Sequence, residues 1–167
     1  SQKLLSELGH TCPEVYGDPA VLMPYIYQPE VNKTLDYLII PHFSTEKKLR
    51  ETYPEEHILS MNTEDYKTVI SKICSAKKVI TSSLHGIILA ECYGVPAVFY
   101  MDRPEKFDFK YADWYTSTGR EFIPPFRNLS DALNATPATL PNLSKMQENL
   151  INSFPYDLWE AVYAPFK

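Results

Sequence analysis

Short apolar stretches alternate with amphipathic ones between residues 35 and 100, and this alternation restricts the chain to very few folds. Residues 35–41 contain the compact run Leu38-Ile39-Ile40 and predict a strand, after which residues 44–52 are charged and helical. Residues 57–61 predict a second strand. Residues 63–75 then predict a helix with Thr63 as its cap and Val69, Ile70 and Ile73 turned inward. A third strand at 78–81, a helix at 84–93 stopped by Gly94-Val95-Pro96, and a fourth strand at 97–100 complete the series. Strands and helices at this spacing imply right-handed crossovers and a parallel sheet covered on both faces. The predicted fold class is therefore α/β, with a Rossmann-like sheet.

The flanks are less regular. Residues 1–9 predict the end of a helix in which Leu4, Leu5 and Leu8 share a face and Gly9 caps it. The segment 12–22 carries the loop Tyr16-Gly17-Asp18-Pro19. Beyond Met101 comes a stretch rich in rings and charge, then a passage at 124–141 dense in Pro, Asn and Thr and without strong periodicity. Helices are expected again at 142–153 and 155–163, the second with Leu158, Trp159 and Val162 as its apolar stripe. We divide the chain into a Rossmann-like domain, 1–125, and a helical extension, 126–167, that packs on it or on a neighbouring domain.

Composition excludes several classes. The 167 residues include 16 Lys and Arg against 21 Asp and Glu, a formal charge of −5 that gives nucleic acid no general basic field to bind. No apolar run approaches the roughly 20 residues of a membrane span. Cys12, Cys74 and Cys92 are odd in number and far apart, so neither a disulfide framework nor a zinc site is expected, and a reducing, cytoplasmic compartment is the simpler reading. Sequons at Asn32, Asn128, Asn134 and Asn142 would matter only in a secretory context. The chain opens at Ser1, so an upstream segment can have been removed.

In an open parallel sheet, ligands bind beyond the carboxyl ends of the strands. The sharpest site of that kind is Thr81-Ser82-Ser83-Leu84-His85-Gly86, which follows one predicted strand directly and opens a helix. Ser82 or Ser83 is positioned to cap it, and the free amides of its first turn attract an anion. His85 falls in that turn, able to donate to a phosphate or carboxylate or to shuttle a proton. Gly86 would let a ligand approach the backbone. The same features also fit a plain helix cap with an incidental histidine.

Asp18 either orients a sugar hydroxyl, acts as a base, or is a structural turn residue before Pro19. His42, just after the first strand, shares the sheet edge with the Ser82–Gly86 turn. Residues 106–120 bring Lys106, Lys110, Arg120 and several rings beyond the last strand. They read either as counter-charge for an anionic ligand or as an amphipathic helix with Phe107, Tyr111, Trp114 and Tyr115 partly in the core. No Walker lysine loop or Gly-x-Gly-x-x-Gly is present, so the usual NTPase and dinucleotide phosphate cradles are missing. No metal and no resident cofactor are expected.

Together these stretches resemble the polysaccharide pyruvyl transferase family. The resemblance rests on Glu14-Val15-Tyr16-Gly17-Asp18-Pro19-Ala20 with Leu22; Ile39-Ile40-Pro41-His42-Phe43; Ile80-Thr81-Ser82-Ser83-Leu84-His85-Gly86 with Ala90, Gly94, Val95 and Pro96; and Lys110-Tyr111-Ala112-Asp113-Trp114-Tyr115 with Ser117, Gly119 and Arg120. It covers residues 1 to about 121. The resemblance implies a two-domain enzyme of glycosyltransferase-B type, of which this chain is the C-terminal, donor-side half. It further implies phosphoenolpyruvate as donor, a saccharide acceptor that is free or lipid-linked, and work at the inner face of a membrane in the lipid-linked case.

His85 takes the place of the family's donor-site histidine. Many members carry Arg two residues earlier, where this chain has Ser83; a subset of bacterial members resembles the Ser-Ser-Leu-His-Gly form. The donor's cation must then come from elsewhere, and Lys110 and Arg120 are the candidates. Substrate contacts are expected at Ser82, Ser83, Leu84, Gly86, His42 and Asp18. It implies that the second catalytic base lies on the other half, leaving this chain alone without turnover. Two rivals stand beside it: a nucleotide-sugar glycosyltransferase, with Asp102 or Glu105 rather than Glu91 as the ribose carboxylate, and a non-catalytic sugar-binding relative.

Overall fold

A computed structural model describes residues 1–101 and 109–158. Three short strands, β1 (Leu38–Ile40), β2 (Val79–Thr81) and β3 (Ala97–Phe99), pair in parallel in the order β1-β2-β3. Leu38 faces Val79, and Val79 faces Ala97. A parallel bridge joins Ile39 to Ile58 outside β1, and another joins Tyr100 to Phe126 outside β3. Across the sheet the chain therefore runs through Ile58, β1, β2, β3 and Phe126. All nine strand residues are buried, as expected for short Val- and Ile-rich strands covered on both faces.

The helices are α1 (Gln2–Glu7), α2 (Met23–Ile26), α3 (Phe43–Arg50), α4 (Tyr66–Cys74), α5 (Leu84–Cys92), α6 (Phe109–Ser117), α7 (Leu129–Asn134) and α8 (Ser144–Ser153). Alternation along the strands sorts the core into two layers. Leu38, Ile40, Val79, Ala97 and Phe99 meet Val69 and Ile73 of α4, Ile87, Ile88 and Ala90 of α5, and Met146 of α8. Ile39, Ile80, Val98 and Tyr100 meet Leu49 of α3 and Leu129 and Ala132 of α7. None of the eight helices is long and apolar enough to cross a membrane.

Four expectations are corrected. The strand expected at 57–61 is reduced to the bridge at Ile58, where the Leu59 N–H donates to the Ile39 carbonyl at 2.9 Å. A 3-10 turn, Glu55–His57, uses up the approach after Pro54, and Asn62 turns away by donating to Ser60 Oγ. The helix expected to be capped by Thr63 begins later, at Tyr66. Asp65 is its cap: its carboxylate accepts from the Thr68 N–H at 3.0 Å and the Thr68 hydroxyl at 2.6 Å. Thr63 instead accepts from the Asp65 N–H.

The helix expected from Ser44 starts one residue earlier, with His42 as its cap. The aperiodic passage at 124–141 contains α7, capped by Asn128 and too short to show a period. Lys106, Phe107, Asp102, Glu105, Trp159 and Val162 lie outside the described residues.

The Thr68 bonds hold the Asp65 carboxyl below the usual carboxylate range. A depressed carboxyl stabilises the fold above that range and ceases to do so as pH falls through its folded value. Asp65→Ala should therefore lower the melting temperature at pH 7 more than Thr63→Ala does. The gap between Asp65→Ala and the parent should close on acidification below about pH 4, measured by thermal melts across pH.

Candidate functional site at the carboxyl edge of the sheet

The chain leaves β1 outward to Ile58 and returns on the other side to form β2. The loops after β1 and β2 thus diverge, which is the topological switch point where open α/β sheets bind ligands. At its centre Thr81, fully buried, donates its hydroxyl to the Ile40 carbonyl and accepts from the Ser83 N–H, both at 2.9 Å. The Ser82 N–H adds a bond to Ile40, and the Ser82 carbonyl accepts from the Tyr111 hydroxyl at 3.0 Å. Tyr111 is itself stacked on Phe99. Both neighbouring strand ends and α6 therefore fix the turn that opens α5.

Ser83 caps α5 by accepting from the Gly86 N–H at 3.3 Å. Among the described residues the N–H groups of Leu84 and His85 have no acceptor, so the first turn of α5 keeps donors and the positive dipole end for an anion. The His85 side chain is 62% exposed, and its Nε2 lies 3.4 Å from Asp18 Oδ2. Beside this pair opens a cleft of about 510 Å³ whose lining includes Tyr16, Asp18, Leu84, Lys110, Asp113 and Ser117. Hence Asp18, Leu84 and Lys110 come together in the cleft wall, while His85 lies outside that lining and adjoins it through Asp18. Lys110 Nζ lies 4.9 Å from the Tyr111 ring centroid and has no carboxylate partner among the described residues.

Other predicted residues have different work. His42 does not line the cleft: its Nδ1 accepts from the Ser44 N–H at 3.2 Å and caps α3, with the ring against Phe43. Ser82 is buried in the turn. Gly86 does not open the backbone to a ligand. A Cβ there would stand 2.4 Å from Thr81 Oγ1, so its lack of a side chain lets α5 close on β2.

Arg120 is withdrawn from the cleft. Its guanidinium grips Glu91 with bonds of 2.7 and 2.8 Å and stacks over Tyr115. The Trp114 indole donates to the same carboxylate at 2.8 Å. Sequence reasoning overlooked this triad, although an acid within the apolar run of α5 called for a buried partner. Asp113 in the cleft was also missed; an acidic residue on a ring-rich helix carries no distinguishing signal.

No three His, Cys, Asp or Glu side chains among the described residues are grouped to hold a metal. Burial pushes the Cys92 thiol up to about 12 and raises that of Cys74, so neither of these two is a ready nucleophile.

A covered parallel α/β sheet thus carries, at its switch point, a helix start with free amides and an exposed imidazole. The model of the family described as polysaccharide pyruvyl transferase matches residues 1–102, and the chain belongs to that family, a family of transferases. The match includes the whole Ser82–Gly86 turn and the Asp18 loop and stops short of Lys110 and Arg120. The uncharacterized protein L143 of Acanthamoeba polyphaga mimivirus is 29% identical over 115 residues, covering 63% of this chain and 40% of that protein. The chain thus spans less than half the length of this relative. No solved structure matches it.

Two substitutions test these assignments by urea denaturation. Gly86→Ala should cost about 1–3 kcal/mol through overpacking on Thr81. Arg120→Ala, which strands Glu91 at 2% exposure, should cost about 3–5 kcal/mol. Adding Glu91→Gln should recover part of that loss. A role in ligand binding alone would leave the stability of Arg120→Ala unchanged.

Proposed function

We propose that the chain is the donor-binding half of a pyruvyl transferase that moves the pyruvyl group of phosphoenolpyruvate onto a sugar of a cell-surface polysaccharide or its lipid-linked precursor. The observation that carries the reading is that the family match runs through the very turn whose free amides and exposed imidazole meet at the switch point. Phosphoenolpyruvate carries a phosphate and a carboxylate. The α5 N-terminus, His85 and Lys110 are matched to those charges without requiring a basic protein. Ser83, standing where many relatives have Arg, neutralises nothing, so Lys110 is the proposed cation on this half.

In the proposed reaction a sugar hydroxyl adds to C2 of the enol while a proton goes to the methylene carbon, which becomes a methyl group. A second hydroxyl then displaces phosphate from C2 and closes a cyclic ketal, so two hydroxyl protons are released and one is taken up by carbon. Protonated His85 is suited to donate at the methylene or to neutralise the departing phosphate. The acceptor and a second base are assigned to the other half of a glycosyltransferase-B type enzyme, at the cytoplasmic side. The 40% coverage of the mimivirus protein leaves length for such a half.

Calorimetry of the full-length protein should show binding of phosphoenolpyruvate and none of UDP-sugars; the reverse result would sink the reading. Incubation with donor and an oligosaccharide should give the mass increment of a pyruvate ketal. His85→Ala should cut that turnover by about 10²–10⁴ with an unchanged melting temperature, since the ring is largely exposed. The 167-residue chain alone should bind donor without turnover.

A further inference from the structure

Asp18 is held more firmly than a surface loop requires. Its Oδ1 accepts from the Ala20 N–H at 2.9 Å, which fixes the carboxylate plane and leaves Oδ2 facing His85. The turn that follows it, Pro19–Leu22, buries Val21 completely among the residues of α5 and α8. Gln147 of α8 donates to the Val21 carbonyl at 2.8 Å. On the other side Gly17, at φ +148°, lies so close to α8 that a Cβ would stand 2.7 Å from Met146. The loop is thus clamped between α5 and α8, and its one remaining carboxylate oxygen stands 3.4 Å from His85 Nε2.

An imidazole offers two nitrogens, and the partner of one decides the proton on the other. Nε2 lies 3.4 Å from a carboxylate, which when ionised is only an acceptor, so the pair favours hydrogen on Nε2. Nδ1 has no partner among the described residues.

We propose that Asp18 is a positioning residue. It binds the Nε2–H of His85, so that Nδ1 is the nitrogen presented to the ligand at the start of α5. A neutral ring then accepts a proton at Nδ1, and a protonated ring donates from it. Asp18 itself touches no substrate in this arrangement. The ligand's identity rests on the pyruvyl transferase reading; the orientation of the ring does not.

The test separates the two. Asp18→Asn keeps an acceptor for the Ala20 N–H and removes the carboxylate. Nitrogen-15 spectra of the imidazoles in the 167-residue chain, with His85→Gln for assignment, should show neutral His85 protonated at Nε2 and bare at Nδ1. Asp18→Asn should raise the Nδ1-protonated share. Addition of phosphoenolpyruvate, or of inorganic phosphate in a parallel titration, should shift Nδ1 of the parent more than Nε2.

In the full-length enzyme Asp18→Asn should lower kcat about tenfold or more while KM for phosphoenolpyruvate stays within about twofold. Identical imidazole spectra in parent and Asp18→Asn, an anion shift confined to Nε2, or an unchanged kcat would each overturn the proposal. If neither anion binds, the donor reading falls, and the spectra of the free chain still decide the pairing.

Discussion

The close approach of α5 to the end of β2 governs everything at this edge of the sheet. Thr81 has no room for a neighbour larger than Gly86, and its hydroxyl joins the Ile40 carbonyl to the Ser83 amide. With a methyl group at position 86 the first turn of α5 would have to lift away from β2. The Ser83 cap, the two unpaired amides and His85 all lie on that turn and would move with it. A packing constraint inside the core therefore sets the position of polar groups outside it.

The proposed anion site is also compatible with a net charge of −5. Backbone amides and a helix end supply positive potential without adding formal charge. Of the two cations that sequence reasoning set aside for the ligand, Arg120 is used up by Glu91. In the proposed site the positive potential therefore falls to the helix end, His85 and Lys110. All three are short-ranged or partly exposed, so added salt should weaken anion binding.

The sequence made the architecture largely legible, because Leu38-Ile39-Ile40, Val79-Ile80 and Ala97-Val98-Phe99 can be buried on both faces only in a covered parallel sheet. Helix starts were less legible. Thr63 and Asp65 are both good caps, and the choice fell to Asp65 because Thr68 answers it three residues later. The turn at His85 was legible as a strand-to-helix junction with an imidazole at its tip. What the linear chain concealed was pairing at a distance: Asp18 with His85, Arg120 with Glu91, Tyr111 with the Ser82 carbonyl. Each joins residues 29 or more positions apart, and local spacing carries no record of such contacts.

Those three pairings share one helix or the turn that opens it. At its start α5 offers amides and His85, which Asp18 faces from a clamped loop. Two turns later the same helix buries Glu91, which holds Arg120 and Trp114 and so fastens the far half of α6. Fastened there, and tied to the Ser82 carbonyl through Tyr111, α6 carries Lys110 to the cleft wall. The buried ion pair is weak evidence of stabilisation in its own right, since desolvating both charges offsets most of their attraction. Its worth lies in fixing orientation: an apolar contact at position 91 would let α6 slide along α5, whereas a carboxylate bound by three donors resists it. In this way Glu91, held by Arg120 and Trp114, helps to set where Lys110 stands in the cleft wall.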